Sequence, residues 1–116
     1  MVEKEKACRI VNELLVYFLS NDIVDFQANV QFHNNGFRVE LQGNCSKAPA
    51  DMNEFAKMLR IPRNPNMEDY YDELLGTSKS HAGSREYHLL GMMIDDAQIS
   101  YEDFVFKVSI YRRFEV

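Results

Sequence analysis

Residues 24–42 read VDFQANVQFHNNGFRVELQ, and this stretch decides the fold class. Val24, Phe26, Ala28, Val30 and Phe32 alternate with Asp25, Gln27, Asn29 and Gln31, the period of two expected of a half-buried strand. Phe37, Val39 and Leu41 then alternate with Arg38, Glu40 and Gln42 in a second strand. Between them, Asn34-Asn35-Gly36 signals a hairpin, because Asn and Gly tolerate the positive φ of tight turns. Two antiparallel strands with one apolar and one polar face need helices on the apolar side.

Helices are expected on both sides of this hairpin. Upstream, Ala7, Ile10, Val11, Leu14, Leu15, Phe18 and Leu19 follow the spacing of an amphipathic helix over 2–20, with Glu3 and Glu5 in its first turn and Asn21-Asp22 as terminators. Val16 and Tyr17 widen the apolar stripe, so the C-terminal half of this helix is expected to be buried on more than one side. Downstream, Asp51 and Glu54 resemble a capping box for a short helix carrying Met52, Phe55, Met58 and Leu59. Pro62 and Pro65 stop it, and a further helix runs through Tyr70, Tyr71, Leu74 and Leu75 to Gly76. Residues 76–84 (GTSKSHAGS) read as a loop, and Leu89, Leu90, Met93 and Ile94 form the stripe of a last helix ended by Asp95-Asp96. Ile99 to Tyr101, a Glu102-Asp103 turn and the alternation Phe104, Phe106, Val108, Ile110 complete a terminal hairpin.

The expected fold is therefore an α+β two-layer sandwich, a mostly antiparallel mixed sheet with helices on one face, in one domain over residues 1–116. The composition, 46% hydrophobic and 27% charged, is that of a globular chain able to bury a core without metals or disulfides. Thirteen Lys and Arg against eighteen Asp and Glu leave a net charge of −5, which disfavours nucleic acid and anionic membrane as partners. Cys8 and Cys45 lack zinc or redox spacing and are expected to be inert, buried or half-buried thiols in a reducing compartment. The longest apolar run, Leu14 to Leu19, is far short of a membrane span, so a cytoplasmic location is expected. His33, His81 and His88 have no paired acid at short spacing and suggest no triad.

The order of elements and three short segments resemble the ATPase domain shared by histidine kinases and gyrase, the GHKL superfamily, and most of all the small bacterial anti-sigma-factor serine kinases. In that family the first helix carries E-x-x-x-N, the Glu activating a water or hydroxyl and the Asn binding magnesium. Glu13 stands at the position of the base, and Tyr17 stands where the magnesium ligand would be. The family's D-x-G-x-G segment, whose Asp meets the adenine amino group, corresponds to Glu40 through Cys45, with Gln42 at the Asp position and Gly43 kept. The glycine-rich phosphate loop corresponds to Gly83-Ser84-Arg85-Glu86, continuing to Leu89 and Leu90.

The departures carry chemical weight. A tyrosine hydroxyl is a poor magnesium ligand beside a carboxamide oxygen. Glu86 brings negative charge to where a triphosphate would approach, and two unit charges about 4 Å apart at an effective dielectric of about 20 repel by roughly 4 kcal/mol. The resemblance thus implies an N-terminally shortened histidine kinase-like ATPase fold that has lost its activity. Such a domain would be a pseudoenzyme serving as a regulatory or protein-interaction module in bacterial signalling, with Tyr17, Gln42, Gly43, Gly83, Ser84, Arg85 and Glu86 around a remnant pocket. No cofactor and no metal is expected, and a protein partner is, with a homodimer as one way to cover the shortened side. The alternatives are an active serine kinase binding ATP and magnesium with Glu13 as base, and a small-ligand sensor in which Arg85 pairs with an acidic group.

Overall fold

The computed structural model describes residues 3–62 and 90–114. Among them the order is α1 (Glu3–Ser20), β1 (Phe26–Phe32), β2 (Gly36–Asn44), α2 (Met52–Leu59), β3 (Asp96–Glu102) and β4 (Val105–Arg113). The strands form one sheet in the order β1-β2-β4-β3, antiparallel at every step. The fold is α+β, with both helices against one face of the sheet, and no helix among the described residues is long and apolar enough to cross a membrane.

Strand parity builds the core. Phe37, Val39 and Leu41 of β2 and Phe106, Val108 and Ile110 of β4 are fully buried under the helices. α1 packs chiefly on β2 and α2 on β3. From α1, Ile10, Leu14, Tyr17 and Phe18 enter this core; from α2, Phe55 and Leu59 do. Gly91 admits the chain beneath α2, since a β-carbon there would lie 2.2 Å from the Met58 carbonyl oxygen.

The helix ends follow local rules, with one departure. α1 closes in a Schellman motif: Asp22 takes the left-handed conformation (φ 61), its N–H bonds the Leu19 carbonyl, and the Ile23 N–H reaches back to Phe18. Ile23 and Phe18 are both buried, supplying the apolar contact of that motif. Asp51 occupies the N-cap of α2 but makes no side-chain cap bond, so the expected capping box does not form. Its carboxylate is engaged by Tyr17 instead.

Several expectations shift. The first hairpin closes through the His33 N–H to the Gly36 carbonyl at 2.7 Å without any positive φ in its turn. Gly36 is instead required by crowding, since a β-carbon there would sit 2.3 Å from the Arg112 carbonyl oxygen. Asp96 begins β3 rather than ending a helix, and Phe104 leaves the last strand for the turn, where Asp103 and Phe104 both have positive φ (52 and 63). The C-terminal half of α1 is not enclosed all round, because Leu19 stands 53% exposed.

Arg112 continues the inward parity of Phe106, Val108 and Ile110 and is wholly buried. Its guanidinium forks onto Glu3 at 2.8 and 3.1 Å and donates to the Met93 carbonyl at 2.6 Å, tying β4 to the start of α1 and to the turn after Leu90.

Candidate functional site

Glu13 and Tyr17 lie one turn apart on the buried side of α1, at 4% and 1% exposure. Glu13 is thus enclosed within the fold. The Tyr17 ring stacks on Phe55 with centroids 3.7 Å apart and planes at 6°, and its hydroxyl donates to Asp51 at 2.7 Å. Position 17 is therefore the joint between α1 and α2. Neither the filled space nor the committed hydroxyl fits a magnesium nucleotide at this point of the helix.

Gln42 lies on the opposite, solvent face of the sheet, exposed, with Lys107 as its cross-strand neighbour. The described structure does not bring it together with Glu13 and Tyr17. Gly43 faces the core, where a β-carbon would come within 2.7 Å of Ile23 and Phe26. Gly83, Ser84, Arg85 and Glu86 lie outside the described residues, as do the expected helix through Tyr70 and Tyr71, His81 and His88.

The solvent face carries a polar lattice. Arg38 donates to the Ser109 hydroxyl at 2.9 Å and lies over the Tyr111 ring at 5.4 Å; Ser109 bonds Glu40 at 3.2 Å, and Lys107 approaches Glu40 at 3.9 Å. These are cross-strand pairs of modest energy on a wet surface. Among the described residues no group of three or more His, Cys, Asp or Glu is placed to hold a metal ion.

The feature that stands out is an apolar groove of about 490 Å³ between α1 and β1. Its helix wall is the stripe Lys4, Cys8, Val11 and Leu15, spaced four, three and four residues apart and so on one face. Its floor is Val30 and Phe32, the outer row of the sheet's apolar face. The groove exists because α1 stands over β2, leaving β1 one strand spacing, about 4.8 Å, beyond its cover. Phe18 covers Phe26, with ring centroids at 5.4 Å, but Val30 remains 40% and Phe32 47% exposed. Cys8 is exposed in this groove rather than buried, and Cys45 is half-buried.

The alternation of β1 marked this row as apolar, yet alternation alone does not say which strand the helix covers. Likewise the helical spacing puts Val11 and Leu15 in the apolar stripe of α1 without saying that they lie at its partly buried border. Comparison with protein-family models gives no match, and no curated protein or solved structure matches the chain, so the functional reading rests on the residues of this molecule.

Proposed function

We propose that this chain is a non-catalytic docking module, receiving a protein partner in the groove between α1 and β1, within a cytoplasmic regulatory system of the bacterial signalling kind. The observation that carries this reading is the exposure of Val30 and Phe32 on β1, an edge strand among the described residues, beside an apolar helix stripe. Water-exposed contiguous apolar surface of this kind is costly to keep and marks interaction sites. Among the described residues the groove's lining is apolar apart from Lys4, Cys8 and Asn12, with no acid–base pair, so it suits a packed apolar surface better than a reacting substrate. Occupation of position 17 by a stacked, hydrogen-bonded tyrosine supports the loss of nucleotide chemistry. The acidic balance of the whole chain supports a protein over a nucleic acid as partner.

A photoactivatable benzophenone attached to Cys8, which is exposed in the groove, tests the reading directly. Irradiation is expected to give covalent protein adducts that Val30→Lys suppresses. Absence of any protein adduct, or micromolar binding of ATP and magnesium in a calorimetric titration, would overturn it.

A further inference from the structure

We infer that the occupant of the groove is a second copy of this chain, its β1 pairing antiparallel with β1 of the first about a two-fold axis at Asn29; this rests on the docking reading above. The hydrogen-bond parity of the first hairpin sets the register. His33 N–H to Gly36 and Asn44 N–H to Asp25 show that the odd-numbered residues from Asp25 to His33 direct their backbone groups at β2. Phe26, Ala28, Val30 and Phe32 accordingly point their N–H and C=O groups away from the sheet, along its edge among the described strands. A two-fold axis at Asn29 pairs Phe26 with Phe32 of the copy and Ala28 with Val30, using all four outward residues of each strand and forming about eight backbone hydrogen bonds. Shifting the register by two residues in either direction leaves one outward residue of each strand without a partner.

The side chains agree with that register. Directly opposed residues share a face, so the two apolar rows become continuous and Gln27, Asn29 and Gln31 meet their counterparts on the wet side. None of the seven residues of β1 is charged, so self-pairing opposes no like charges, and β1 has neither the Lys nor the Pro by which edges are usually protected. The other edge of the described sheet differs. Pairing β3 with its own copy about Ile99 would set Asp96 against Glu102 at both ends, acid against acid.

The helices complete the contact. Joining the two sheets puts one β2 three strand spacings, roughly 14 Å, from the other. Helices standing over them need to lean in by only a few ångströms to reach a packing distance of about 8–10 Å. The face they then bury is the stripe that walls the groove, Val11 and Leu15, above Val30 and Phe32. The contact is one strand long, about 23 Å, at the small end of stable interfaces, so association in the micromolar range is expected.

Sedimentation of the full chain between about 1 and 200 μM is expected to show a monomer–dimer equilibrium, weakened at least about tenfold by Val30→Lys. A single cysteine at the axis reads the register. In a Cys8→Ser, Cys45→Ser background, Asn29→Cys sits at a non-hydrogen-bonded pair with Cα atoms about 4.5 Å apart, within disulfide reach, and mild oxidation yields a covalent dimer. Gln27→Cys alone stays monomeric but joins Gln31→Cys when the two are mixed. A wild-type chain that remains monomeric throughout, or a dimer that Asn29→Cys fails to lock, overturns the inference. Groove adducts to other proteins without self-association would overturn it while leaving the docking reading in place.

Discussion

Tyr17→Asn restores on paper the E-x-x-x-N spacing from Glu13, and the structure predicts that it destroys the helix joint without restoring a magnesium site. The side chain is 1% exposed, stacked on Phe55 and bonded to Asp51. Removing a buried aromatic ring costs about 3–5 kcal/mol, of which the aromatic pair accounts for roughly 0.5–1.5 kcal/mol. The hydroxyl's bond to a half-exposed carboxylate contributes about 1 kcal/mol, and Tyr17→Phe isolates that part. Asparagine fills some of the space but buries an amide, so a net loss of about 3 kcal/mol is expected for Tyr17→Asn. Urea denaturation reads this directly. With an m-value of about 1.5 kcal/mol/M, the midpoint falls by roughly 2 M for Tyr17→Asn and by under 1 M for Tyr17→Phe. Calorimetric titration of the same variant with ATP and magnesium is expected to show no binding. A Tyr17→Asn protein as stable as wild type, or one that binds the nucleotide, would refute the assignment of this residue to the core.

Arg112→Met removes the bidentate contact to Glu3 and strands the Met93 carbonyl, so a loss of about 3 kcal/mol is expected; a double-mutant cycle with Glu3→Gln showing coupling under about 0.5 kcal/mol would contradict the pairing. Phe104→Gly relieves a bulky residue held at φ 63 and 67% exposed in a hairpin turn, and an increase in stability of about 1 kcal/mol is expected by thermal unfolding. Burial lifts the Tyr101 phenol above its ordinary value of 10.0, with the Cys45 thiol adding to the rise. The folded state therefore holds that proton more tightly: the stabilisation is complete below pH 10 and is lost as pH climbs through the raised value. Tyr101→Phe should flatten the alkaline limb of a stability–pH curve, and an unchanged limb would argue against this group.

Much of the fold was legible in local pattern. Alternation over 24–42 and the 3.6-residue stripe of α1 report which side of each element is apolar, because side-chain direction follows backbone period. Asp22 as terminator and Phe55 and Leu59 as the buried face of α2 follow from the same local rules. Other features needed contacts that no local pattern contains. Asp51 reads as a cap until the hydroxyl of Tyr17, thirty-four residues away, claims it. Arg112 lies beyond the alternation Phe104 to Ile110 recognised in the sequence, although its parity with Ile110 is the sign that it points inward. The resemblance placed Gln42 beside Glu13 and Tyr17, and strand parity puts it across the sheet from them.

Sequence alone determined that this chain makes an α-helix followed by an apolar-faced hairpin, because periodicity is a property of each segment by itself. Only the tertiary structure decided that α1 stands over β2 and not β1, since the lateral position of a helix depends on every side chain it meets at once. That displacement of a single strand spacing leaves Val30 and Phe32 without a helix over them among the described residues, and with them the surface on which the proposed function turns.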